Sequence, residues 1–172
     1  MSTQLVGGGT TNLDALSVGG ATTLFSTPSI TTAQSMVRLN TVNGYGSTNT
    51  AIRRFTNVVT NQGSDITYTD SATLGAAFTI NTNGVYAISY SDSLNTAAAY
   101  GISLNSNQMT TAFGAITVAD KLAACIITSS SNVIPVSVTV YLPAGSVVRP
   151  HASLDITGTA AAQTTFTITR VA

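Results

Sequence analysis

Residues 134–142, IPVSVTVYL, carry an apolar side chain at every second position: Ile134, Val136, Val138, Val140 and Leu142 fall on one side of an extended chain, Ser137, Thr139 and Tyr141 on the other. A helix would scatter these residues around its axis, since its side chains repeat every ~3.6 residues, whereas those of a strand repeat every ~2. The same rhythm runs through residues 84–91, GVYAISYS, with Tyr86, Ile88 and Tyr90 on one face and Val85, Ala87 and Ser89 on the other. Little in the chain competes with it. The 172 residues contain no Glu and a single Lys, Lys121, so the residues that usually build surface helices are nearly missing. Thr, Ser, Ala, Asn, Val and Ile dominate instead, and the expectation is an all-β protein.

Strands are predicted at 36–42, 52–59, 64–69, 74–80, 84–91, 98–105, 121–128, 134–142, 146–153 and 163–171. Turn signals separate them at Asn43-Gly44, Asn61-Gln62-Gly63, Asn83-Gly84, Asn105-Ser106-Asn107 and Pro143-Ala144-Gly145. Gly84 is assigned the positive φ of an Asn-Gly turn, reversing the chain into the next strand. Eight to ten short strands of this kind suggest a sandwich or barrel, most simply a jelly roll. Residues 1–35 read differently. They are rich in Gly, Thr and Ser, with sparse apolar residues such as Leu5, Val6, Leu13, Leu16 and Val18, too few to fold alone. The expectation is an extended arm ordered against neighbours, with a flexible linker as the alternative.

Six cations balance six Asp, and the Arg residues are scattered apart from Arg53-Arg54. Nucleic acid is therefore not an expected partner, because phosphate binding needs clustered cations. So uncharged a surface has little self-repulsion, which suits a chain whose surface is covered by copies of itself or by a larger assembly. No apolar run reaches the ~18–20 residues of a membrane helix, and MSTQLVGGG lacks the basic and apolar regions of a secretory signal. Neither membrane insertion nor export is expected.

Several spacings fall in a recognisable order: Phe55, Val58, Asn61 and Gly63, then Phe78, Gly84, Tyr86 and Ile88, then Ala144-Gly145-Ser146-Val147, and finally Phe166 in the last strand. In these the chain resembles, over residues 36–172, the jelly-roll superfamily of the C1q globular head and tumour necrosis factor. It departs from that pattern at Asn81, Ser146 and Thr167, where Pro, Asp and Gly are usual. The resemblance implies a C1q/TNF-like jelly-roll β-sandwich over 36–172, preceded by the arm at 1–35, and a homotrimer whose aromatic residues line a threefold axis. Carried over, it makes Phe55, Phe78, Gly84, Tyr86, Tyr90 and Phe166 the fold-marking and trimer-interface candidates. The alternative for the tyrosine face is the core of the chain's own sandwich.

No catalytic arrangement is expected. His151 is the only His, and neither a strained nucleophile elbow nor any comparable Ser motif accompanies it and Asp155. Cys125, the only Cys, lies among apolar residues in KLAACIIT and is expected to be inert. One His and one Cys cannot form a zinc site, and Asp65, Asp70, Asp92 and Asp120 lack calcium-loop spacing. No cofactor is expected. The segment LSVGGATTLFS resembles the strand-and-turn pieces of phage fibre proteins. The functional expectation is a trimeric virion protein on the particle surface, a capsid decoration or head fibre made in the host cytoplasm, with Leu5, Val6, Leu13, Leu16 and Val18 anchoring it to capsid or other virion proteins. The alternative is a tail-fibre or tip module binding a host receptor or carbohydrate through loops at 92–98 and 106–120.

Overall fold

Each alternating segment becomes a strand, and the side chains it alternates are divided between a buried and an open sheet face. A computed structural model describes residues 34–40, 47, 50–92, 96–128, 133–153 and 163–172. Among these the strands are β1 (Met36–Asn40), β2 (Asn57–Gln62), β3 (Ile66–Ser71), β4 (Gly75–Ile80), β5 (Gly84–Ser91), β6 (Ala98–Leu104), β7 (Lys121–Ile127), β8 (Val136–Leu142), β9 (Val147–His151) and β10 (Thr165–Arg170). They pair antiparallel in two five-stranded sheets, β2-β1-β10-β5-β8 and β3-β4-β9-β6-β7. From β4 onward the chain crosses between sheets at each step except β6 to β7, which is the jelly-roll path. The arm candidates Leu5, Val6, Leu13, Leu16 and Val18 lie outside the described residues.

The core fills the space between the sheets. From the first sheet come Val37, Leu39, Tyr86, Ile88, Tyr90, Phe166 and Ile168, and from the second Ile66, Phe78, Ile80, Tyr100, Ile102 and Val148, all buried. Its centre is aromatic. Phe78 stacks on Phe166 at 4.3 Å between centroids, and Tyr90 meets Tyr100 edge-on at 5.0 Å, geometries that add to the area term of burial.

Two expectations are corrected. Residues 50–53 do not belong to the strand predicted at 52–59. They wedge against the end of β9 instead, with Arg53 N–H donating to Pro150 O (2.9 Å) and Ala152 N–H to Ala51 O (2.9 Å), and β2 begins only at Asn57. The cause is Arg53, whose side chain is drawn inward to a buried acid. Gly84 is not a positive-φ turn residue either. The positive-φ glycines among the described residues are Gly63, Gly75 and Gly145. Asn83-Gly84 marks a corner where the chain passes from one sheet to the other, and glycine is required there because a Cβ would lie well inside van der Waals contact of Ala172 O. That close approach lets Val85 N–H donate to the same carbonyl at 2.8 Å.

Candidate functional site

The outward face of the first sheet is where the alternation leaves its small residues. Register places Thr169, Ala87 and Thr139 in one row across β10, β5 and β8, and Thr167, Ser89 and Ser137 in the next. These six side chains surround a depression of about 210 Å³. Arg38, directly opposite Thr167 on β1, brings the charge on this face. Tyr141, 60% exposed, and Val58, 48% exposed, stand on the edge strands β8 and β2 that bound the sheet. Methyl groups and hydroxyls can be covered by another surface at little desolvation cost, since hydroxyls readily find partners, whereas the Arg38 guanidinium needs an acceptor from that surface or a place at its rim. The arrangement suits contact with another surface.

The aromatic face points the other way. Tyr86 and Tyr90 were candidates for a contact between subunits, and both are fully buried in the sandwich of a single chain, as are Phe55, Phe78 and Phe166. The larger side chains of β5 gain most by entering the core, and each hydroxyl finds an acceptor locally: Tyr86 donates to Thr82 O (2.6 Å) and Tyr90 to Asp92 Oδ2 (2.7 Å). Gly84 is likewise buried, beneath the end of the chain. A partner chain would therefore meet the small residues of β5. Signals for this face were in the sequence, in the small alternate positions of residues 84–91, 134–142 and 163–171. Only the order β10-β5-β8 brings them together.

The remaining candidates are engaged in structure. Arg53, 2% exposed, pairs in a forked geometry with fully buried Asp92, Nε to Oδ2 at 2.5 Å and Nη2 to Oδ1 at 2.8 Å. Burial opposes the Arg53 charge, but Asp92 and Tyr90 more than offset it, and its pKa rises. Thr164 Oγ1 adds a longer contact to Asp92 at 3.4 Å, so one carboxylate ties together three separate parts of the chain. Tyr90 is driven well above its ordinary value, first by burial and then by the Asp92 charge. Arg54 forks onto Asp70, and Arg170 reaches Asp65 at 3.5 Å. Hydrogen bonds from Thr82 and Ser35 and the nearby Arg170 hold Asp65 below the usual carboxylate range.

His151 is fully buried, with Nε2 2.8 Å from Thr111 O and Nδ1 3.3 Å from Ser103 Oγ. No carboxylate among the described residues bonds the ring, and Asp155 lies outside them. Cys125 is half-buried on β7, its thiol pushed up by burial. The loop at 106–120 folds back on the second sheet and buries Phe113 and Ile116.

Known proteins were compared at the level of sequence and of fold. No protein-family model matches the chain, and no curated protein matches it by sequence. Solved structures do. Murine APRIL crystallised at pH 8.5 superposes with a TM-score of 0.53 at 14% identity, covering 80% of this chain and 99% of that one. Murine APRIL at pH 5.0 gives 0.51 at 13% identity over the same shares. At such identity the likeness is one of fold, and that fold is a TNF-like jelly-roll sandwich of two antiparallel sheets.

Proposed function

We propose that the chain is a structural protein of a virus particle, a homotrimeric capsid decoration or head fibre whose jelly roll stands on the surface and whose residues 1–35 tie it to the capsid. The observation that carries the self-association is the sheet face formed by Ala87, Ser89, Ser137, Thr139, Thr167 and Thr169, small in every position. A surface with so little charge gains by being covered, and copies of the same chain supply a matching one. Arg53, Arg54 and Arg170 are held in ion pairs, and His151 lies buried between a carbonyl and a hydroxyl, which supports a mechanical role over a chemical one. The likeness of LSVGGATTLFS to phage fibre segments supports the particle assignment.

Sedimentation of the full chain tests the first half of the proposal. The mass of three chains is expected, and a stable monomer overturns it. Antibody labelling of particles from the source tests the second half. Label on the virion surface, lost when residues 1–35 are deleted while the trimer persists, is the expected result. Trimers that bind host cells, with label on the tail and none on the capsid, would instead favour the receptor-binding tip.

A further inference from the structure

The loop from Asn105 to Asp120 lies over the outward side of the second sheet, and His151 sits beneath it. Register puts Gly101 opposite His151 on β6 and β9, and Ser103 opposite both Arg149 and Lys121, so all five share that outward side. Phe113, 1% exposed, packs edge-on to the His151 ring at 5.7 Å between centroids. It also lies so close over Gly101 that a Cβ there would overlap its Cζ. Among the hydrogen bonds that hold the loop down are Ala51 N–H to Met109 O (2.6 Å), Phe113 N–H to Ala152 O (3.2 Å) and His151 Nε2 to Thr111 O (2.8 Å). Because a carbonyl only accepts, Nε2 carries the proton, leaving Nδ1 to accept from the Ser103 hydroxyl at 3.3 Å. The neutral ring is satisfied on both sides.

A second proton, on Nδ1, can be received by Ser103 Oγ, whose own hydroxyl then turns to Arg149 O at 3.5 Å, but no carboxylate among the described residues bonds the ring to balance the added charge. Among the described residues, the charged groups facing the ring are both cations: Arg149, two positions away on β9, and Lys121, at the start of β7. Lys121 Nζ donates to Gly114 O in the loop (3.0 Å) and stands 5.5 Å from the Phe113 centroid. From β6 come Gly101 and Ser103, and from the loop Thr111 and Phe113, none of them charged. In the 50–53 wedge, Arg53 is bonded to Asp92.

We propose that His151 is an acid-sensitive latch for the 105–120 loop: protonation places a cation with no counter-ion among the described residues beneath the loop, beside Arg149 and Lys121, and the loop lifts to hydrate it. Opening exposes Phe113, Ile116 and the sheet beneath them. Burial foremost, aided by the two cations and opposed by the Thr111 hydrogen bond, holds the closed-state pKa of the ring below its ordinary value. Linkage sets the direction of the effect. The open loop binds the proton more tightly, so closure has its full strength above about pH 6.5 and weakens as pH falls toward the closed-state value. Over that interval the open-to-closed ratio rises about tenfold per pH unit.

Amide hydrogen exchange of the full chain at about pH 7.5 and about pH 5.5, corrected for intrinsic rates, tests the latch. Protection of residues 106–116 is expected to fall severalfold or more while β5 and β10 keep theirs. In His151→Gln, which retains a donor for Thr111 O without titrating, loop protection should not change with pH. In Lys121→Met the fall should be smaller. Constant protection in the parent chain, an equal fall across the whole sandwich, or a fall that survives in His151→Gln would overturn the proposal. Should the Gln variant fail to fold, the NMR titration of this single histidine decides: an ordinary pKa of about 6.5 with the loop still protected overturns the latch, and a lower value coupled to loop exchange supports it.

Discussion

A single buried carboxylate links three separate segments of this sandwich. Asp92 accepts two bonds from Arg53 and one from Tyr90, joining the 50–53 wedge, the end of β5 and, through Thr164, the approach to β10. A buried ion pair contributes little net stability over an apolar replacement, but losing one partner strands the other charge in a dry environment. Asp92→Asn is therefore expected to destabilise the fold by about 3–5 kcal/mol in urea unfolding. The triple change Arg53→Met, Asp92→Leu, Tyr90→Phe should lie much closer to the parent, because it leaves no orphan charge and removes the Tyr90 hydroxyl together with its acceptor. A triple variant as unstable as Asp92→Asn would show the pair to be a net source of stability. None of this was legible in the sequence. Arg53 and Asp92 are separated by 39 positions, and nothing in IRRF distinguishes the buried Arg53 from the half-exposed Arg54.

Strand existence was far more legible than strand connection. Alternation requires only local information, and the segments at 84–91, 98–105, 121–128 and 134–142 became β5, β6, β7 and β8 within one or two residues. The path the chain takes on leaving a strand depends on which partner the next strand meets. Asn83-Gly84 has the composition of a hairpin turn, yet β4 and β5 lie in different sheets, so its glycine answers to a close approach and not to a positive φ. Gly84→Ala should cost about 1–3 kcal/mol, because the Ala172 carbonyl must retreat and loosen its bond to Val85 N–H. The penalty should shrink in a chain lacking Val171 and Ala172, where the backbone obstacle is gone and only the Arg170 side chain, 2.7 Å from the added Cβ, must move. An equal penalty in both backgrounds would point to a conformational cause. The same holds for the faces of β5: the sequence separates tyrosines from small residues, and packing of the two sheets decides which set is outside.

Assembly is a property of the whole molecule, and the surface predicts its character. With the depression on the first sheet lined by Ala, Ser and Thr, burial and hydroxyl hydrogen bonds would drive association and ion pairs would add little. The sedimentation mass should therefore change little between about 0.05 and 0.5 M salt, a range over which the Debye length shortens roughly threefold. Ser89→Arg places a long cation at the centre of the face and should yield folded monomers, seen as a lower mass with unchanged strand content by circular dichroism. Tyr141→Ser, at the edge of the same face, should weaken association without abolishing it. A trimer that tolerates Ser89→Arg would move the interface elsewhere on the molecule.

Determined by the sequence alone were the all-β class, the approximate place of most strands and the lack of clustered charge for a charge-driven partner, because side-chain alternation and charge are local or summed properties. The tertiary structure decided which face of β5 is interior, that Gly84 turns a corner beneath the Ala172 carbonyl, that Arg53 meets Asp92, and that His151 lies under a loop between two cations. Each of these depends on residues far apart in the chain. Their proximity exists only once two sheets have closed on one core, and no local pattern encodes it.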